Sequence, residues 1–156
     1  MYDVFKVVNW FRAKNCIELQ QDENVEELTQ MKVMKLLYYV QAASLVILNK
    51  RMFDNDIVAW KYGPVVVEVH DKYRNKRSIV DPDNIDPNMV SDYKELQADE
   101  QVRDILNSIY AVYGGSSAID LMKQTHKEKP WQETQQSQII SDEAIRSYYS
   151  GVFVVE

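Results

Sequence analysis

Cysteine is nearly missing from this 156-residue sequence: Cys16 stands alone, so no internal disulfide can form. There is no charged start followed by an apolar run and a small-residue cleavage site, so nothing directs the chain to secretion and a cytoplasmic location is expected. The most apolar stretch, Leu36 to Leu48, has 13 residues and contains Gln41 and Ser44. That falls short of the ~20 residues that cross a bilayer, so no membrane segment is expected. Histidine occurs twice, as His70 and His126, with neither a CxxC pair nor an HExxH helix, so the usual zinc patterns are excluded. No GxSxG turn occurs, and Gly114-Gly115 lacks the lysine and spacing of a phosphate loop. The residues imply no metal and no cofactor.

What is present fits one domain, residues 1–156, long enough to bury a substantial core without a disulfide or structural metal. The net charge of -6 argues against charge-driven attachment to nucleic acid or anionic lipid. Residues 1–78 carry 12 bases and 10 acids, whereas residues 79–156 carry 6 bases and 14 acids. The second half therefore supplies the whole acidic excess, notably from Asp81 to Asp104, and a charge-guided partner would meet an acidic face.

Only four glycines and four prolines interrupt the chain, and the segments between them have helical periodicity. The fold class expected is mainly α: a compact single-domain helical bundle around a buried central helix, with at most short β segments. A first helix opens at Asp3, an N-cap, with Val4, Val8 and Phe11 on one face, and fades near Asn15. The central helix fits Thr29 to Leu48, apolar nearly all round, with Lys32 and Lys35 marking solvated first turns and a polar stop at Asn49 to Arg51.

Ile57 to Trp60 reads as a strand or a buried link. Pro64 is placed to open a helix running to about Tyr73, against the strand preference of three successive valines. Asp81 to Pro87 is an irregular connection. Another helix follows from Asp99, stopped by a left-handed Gly114, and Ser117 caps the next with Asp120 three residues on. A polar connection runs from Thr125 to Ser141. The last helix starts at Ser141, with Ile140 and Ile145 as a hydrophobic staple, and ends at Gly151; Val152 to Val155 is a β-prone tail.

Among side chains that carry chemistry, adjacent His70 and Asp71 point about 100° apart on a helix and read as a surface pair. Cys16, beside Ile17 and Leu19, reads as a small buried hydrophobe. Lys72, Arg74, Lys76 and Arg77 form the one basic patch, a solvated helix end or a phosphate contact. Aromatic residues are the stronger signal, since Tyr and Trp combine apolar area with a polar handle. Trp131 stands out by following Pro130 in a polar segment.

Four blocks have a joint spacing: Met34-Lys35-Leu36-Leu37-Tyr38-Tyr39-Val40-Gln41, then Ile57-x-Ala59-Trp60-x-Tyr62-Gly63-Pro64-Val65, then Thr125-His126-x-x-x-Pro130-Trp131, closed by Ile140-Ser141 and Tyr148-Tyr149. Together they resemble the Panacea domain family of SocA-like, often phage-associated proteins, over about residues 3–150. The resemblance implies a helical domain that acts by binding proteins, most often as the antitoxin of a toxin-antitoxin pair, and implies no catalytic residues. It leaves no residues for a separate DNA-binding or catalytic module.

The residues expected to meet the partner, or to build the surface that does, are Tyr39, Trp60, Tyr62, Gly63, Pro64, His126, Pro130 and Trp131. Trp60 and Trp131 could pack together, with Gly63-Pro64 allowing close backbone approach and His126 supplying a hydrogen bond beneath the loop. The leading expectation is a cytoplasmic, phage- or prophage-associated antitoxin that binds a toxin encoded nearby. The alternative is an adaptor that delivers a partner to a protease. A third possibility is an enzyme with His126 as general base, helped by Asp120 or Glu128.

Overall fold

The computed structural model describes residues 1–153. Helix α1, Val4–Gln21, begins where the Asp3 carboxylate accepts the Phe5 amide at 2.8 Å. It runs past Asn15, where the sequence led us to expect it to fade. Asn15 turns inward, accepting the Leu28 amide and donating to the Glu26 carbonyl, each at 2.9 Å. A polar side chain whose hydrogen bonds are met inside the molecule need not end a helix.

Helix α2, Gln30–Ile47, is capped by Thr29, whose hydroxyl accepts the Lys32 amide at 3.1 Å. Every residue from Val33 to Leu45 is buried, which makes α2 the centre of the bundle. Its polar members hold loops in place. Gln41 accepts the Met52 amide at 2.7 Å and donates to the Phe53 carbonyl at 2.8 Å, while the Ser44 hydroxyl donates to the Lys50 carbonyl at 2.7 Å. Asn49, left-handed at φ 55°, turns the chain away.

Strands β1, Val58–Trp60, and β2, Gly63–Val65, form an antiparallel hairpin pairing Val58 with Val65, Ala59 with Pro64 and Trp60 with Gly63. Pro64 is thus in a strand and does not open a helix; helix α3, Val67–Lys72, starts three residues later. The missing amide of Pro64 costs nothing here, because Ala59 opposite spends its own hydrogen bonds on the other side. Its amide donates to Gln138 at 2.9 Å and its carbonyl accepts from Ser137 at 2.6 Å. Together with the Ile140 amide on the Ile57 carbonyl at 2.8 Å, these bonds lay residues 137–140 along the outer edge of β1.

Helix α4, Pro87–Gln97, fills the stretch between the Asp81 to Pro87 connection and Asp99, to which the sequence pattern assigned no element. Asp86 caps it, accepting the Asn88 amide at 2.9 Å, and Pro87 occupies the first turn. Helix α5, Glu100–Tyr113, follows its Asp99 cap. Gly114 ends α5 in right-handed geometry, φ -63°, and not in the left-handed one expected. A Cβ there would collide with the Tyr110 ring and carbonyl, so space is what calls for glycine.

Helix α6, Ala118–His126, starts at the Ser117 cap; α7, Lys129–Gln132, is a single turn inside the expected polar connection; α8, Asp142–Tyr149, starts at the Ser141 cap. Ile140 and Ile145 flank that last cap, each 1% exposed, as a staple requires. The chain turns after α8, and Phe153 stacks on Tyr149 at 5.4 Å. Val154 and Val155 of the expected β-prone tail lie outside the described residues. The protein is mainly helical, with eight helices and one two-stranded sheet among the described residues, whose buried apolar side chains form one core cluster from Val4 to Tyr149.

Candidate functional site

The hairpin lies on the middle of α2, and Lys35 fills the space beneath it. Lys35 was expected in a solvated turn; it is 1% exposed, and its Nζ reaches the Pro64 carbonyl at 3.4 Å. No carboxylate among the described residues pairs with it, and burial pushes its pKa down to about 8. Gly63 makes room for this side chain. Its φ is +111°, and a Cβ would sit 2.9 Å from Lys35 Cε and 3.1 Å from the Thr125 hydroxyl. Backbone sign and space both demand glycine at this position.

The Thr-His and Pro-Trp elements close the site from α6 and α7. Thr125 is fully buried and returns its hydroxyl to the Met122 carbonyl at 2.8 Å. The His126 ring stacks on Trp131 with centroids 3.9 Å apart and planes 20° apart. Burial holds the His126 pKa below its ordinary value, helped by the positive charge of Lys35, while the Lys61 backbone acts in the opposite sense. Its Nε2 is buried without a hydrogen-bond partner, so this nitrogen does not supply the bond expected beneath the loop. Trp131 meets Trp60 through its indole nitrogen, which donates to the Trp60 carbonyl at 2.8 Å. The Trp60 ring turns edge-on to His70 at 4.9 Å.

Glu128, between the two elements, is 3% exposed and accepts the Tyr39 hydroxyl at 2.8 Å. Burial raises its pKa, opposed by the hydrogen bond from Tyr39. Tyr39 lies flat on Tyr113, centroids 3.9 Å apart and planes 6° apart, with the Tyr38 and Tyr149 rings set edge-on around it. With its oxygen on Glu128, Tyr39 is wholly buried, and the desolvation drives its pKa above the ordinary phenol range.

The eight residues singled out from the sequence are therefore divided by depth. Tyr39, Gly63, Pro64 and Pro130 are buried, Trp60, His126 and Trp131 are partly exposed, and Tyr62 at the hairpin tip is 56% exposed. Sequence reasoning missed Lys35 as the floor of the site and Tyr113 as the partner of Tyr39. The signal for Lys35 was a lone charge inside the apolar run Val33 to Val40. Glu128, considered only as a helper to His126, gives its carboxylate to Tyr39. Elsewhere, Asp71 takes contacts from both His70 at 3.3 Å and Arg74 at 2.9 Å, and the Lys72 ammonium lies over the Phe5 ring, which breaks up the basic patch.

Residues 33–132, which contain the hairpin, its lysine floor and both tryptophans, match the family described as antitoxin SocA-like, Panacea domain. The chain belongs to this family. Within the Panacea domain of this protein, the two motifs that the sequence separates by some sixty residues are joined by the Trp131 to Trp60 hydrogen bond. No curated protein and no solved structure shows significant similarity to the chain. Among the described residues, no helix of this Panacea protein is long and apolar enough to cross a membrane.

Proposed function

We propose that this protein is a cytoplasmic antitoxin, of phage or prophage association, that neutralises a toxin encoded beside it by direct binding. The observation that carries this reading is the match of residues 33–132 to the SocA-like antitoxin family. The chemistry of the site supports binding over catalysis. Its polar groups are committed to one another: Glu128 to Tyr39, Trp131 to Trp60, Lys35 to Pro64. His126 is stacked on Trp131 and held toward its neutral form with no carboxylate bonded to the ring.

The partner-facing set is then Tyr62 with the accessible edges of Trp60, His126 and Trp131, an aromatic group of the kind that anchors protein interfaces. Tyr39, Gly63, Pro64 and Pro130 hold that group from below. The acidic second half complements a basic toxin surface.

Co-expression with the product of the neighbouring gene tests the reading. The product alone should arrest growth, and the pair should grow and co-purify. A harmless product, or a toxic one that neither co-purifies nor is relieved, sinks the proposal. Rapid loss of the toxin on co-expression would instead indicate delivery to a protease.

A further inference from the structure

A groove of about 420 Å³ lies between α2, α5 and the segment after α8. Tyr39 meets Tyr113 at one end, while Leu48 and Val102 share a recess at the other, so the two helices run antiparallel. The groove floor is Ala43, Ile105 and Ile109, each under 5% exposed. Its walls are unusually bare for apolar side chains: Ile47 is 40% exposed and Val112 67%, with Phe153 closing the side. Partly bare apolar walls over an apolar floor give a helix of a partner side chains to pack against.

Two features narrow what covers it. From Gln101 to Val112 the groove follows about 16 Å of α5, three helical turns at 1.5 Å per residue. Its two long walls are helices and, among the described residues, no strand edge lines it, so an added strand would find no backbone partners, whereas a helix could lay a stripe of apolar side chains along the floor. The second feature is charge. Among the described residues Asp104, which also lies 3.6 Å from the neighbouring Arg103, is the one charged residue lining the groove, Glu100 stands exposed one turn before it, and no base lines it. Both acids end the stretch from Asp81 to Asp104, in which eight acids face two bases.

We propose that this groove seats an amphipathic helix of the protein partner, its apolar stripe on Ala43, Ile105 and Ile109 and a lysine or arginine at the Asp104 end. The proposal rests on the protein-binding reading above and adds to it the seat and chemistry of the partner segment.

The probe is a fluorescent helical peptide of about 14 residues with leucines at i, i+4, i+7 and i+11 and lysines at one end. It is titrated against the full chain and followed by anisotropy. Saturable binding is expected, weakened about tenfold or more by Val112→Glu, an exposed position where the fold should survive. Asp104→Lys should weaken binding of the lysine peptide and restore it for a peptide carrying glutamates instead. Equal binding by the wild type and a folded Val112→Glu variant overturns the proposal, as does indifference to the charge exchange.

Other occupants would also show themselves. Self-association in sedimentation that Val112→Glu abolishes would assign the groove to a second copy. Peptide binding that emerges only after removal of residues 154–156 would assign it to the chain's own end. Either result overturns the proposal. With the neighbouring gene's product, protection that survives both Val112→Glu and Ile47→Asp discards the groove as the seat and leaves the antitoxin reading intact. Peptide binding as expected without any protection does the reverse.

Discussion

At Lys35 the chain keeps an ammonium group under a glycine, with a single carbonyl for company. Its folded-state pKa of about 8 lies below the ordinary lysine value of 10.5. Below pH 8 both folded and unfolded chains carry the proton, and the folded state bears the full desolvation cost. Between pH 8 and about 10 only the unfolded chain still binds it, so stability should rise with pH, in total by an amount of order 3 kcal/mol were the rise to run to completion. Buried tyrosines such as Tyr39 and Tyr149, whose pKa values are raised, work against this only above about pH 10. Urea unfolding at pH 7 and pH 9.5 should show a larger rise in the wild type than in Lys35→Met, in which Lys32, lowered by burial, and Cys16, raised by burial, still act in opposite senses; Lys35→Met should itself equal or exceed the wild type at pH 7. Gly63→Ala should be the costly change, about 2 kcal/mol or more by thermal or urea unfolding, since it meets both the positive φ and the contact with Lys35. If Gly63→Ala unfolds with the wild-type midpoint, the lock between these two residues is not real.

The elements show what was legible in the sequence. Asp3, Thr29, Asp99, Ser117 and Ser141 each cap a helix as their position before an apolar run suggests, because capping is settled by a few adjacent residues. The hairpin was not legible. Pro64 is a good first residue of a helix, and what places it in a strand is the use of Ala59's hydrogen bonds by Gln138 and Ser137, nearly eighty residues away. Helix α4 escaped notice because Met89 and Leu96 are its only buried side chains, too few for a periodic signal. In the site, the aromatic motifs could be read, whereas the depth of Lys35 and Tyr39 depended on which faces other helices cover. Trp131→Phe isolates one such long-range tie. It removes the bond to the Trp60 carbonyl and should cost about 1 kcal/mol. Hydrogen exchange should quicken at the Ala59 and Ile140 amides while α1 stays protected. Unchanged exchange in the hairpin would show that the two motifs are held by packing alone.

Across the whole molecule, the uneven charge gives a third kind of test. Residues 79–156 carry the acidic excess, and the stretch from Asp81 to Asp104, with eight acids against two bases, holds most of it. If a basic toxin is drawn to that face, its association rate should fall about tenfold or more between about 0.01 M and about 0.15 M salt, with dissociation changing less. Stopped-flow mixing at several salt concentrations would show it; a flat association rate would leave the asymmetry without a role in capture.

The outer edge of β1 also has a bearing on time. Residues 137–140, which complete that edge, leave the ribosome about 80 residues after it, a wait of several seconds at roughly 5–20 residues per second. A two-stranded hairpin is marginal by itself, so the nascent chain carries an open edge at Ile57 and Ala59 until Ile140 arrives. The aromatic face is therefore finished only once Ile140 has been made. A ribosome halted before Ile140 would release a product that has α2 and both strands yet lacks a completed hairpin.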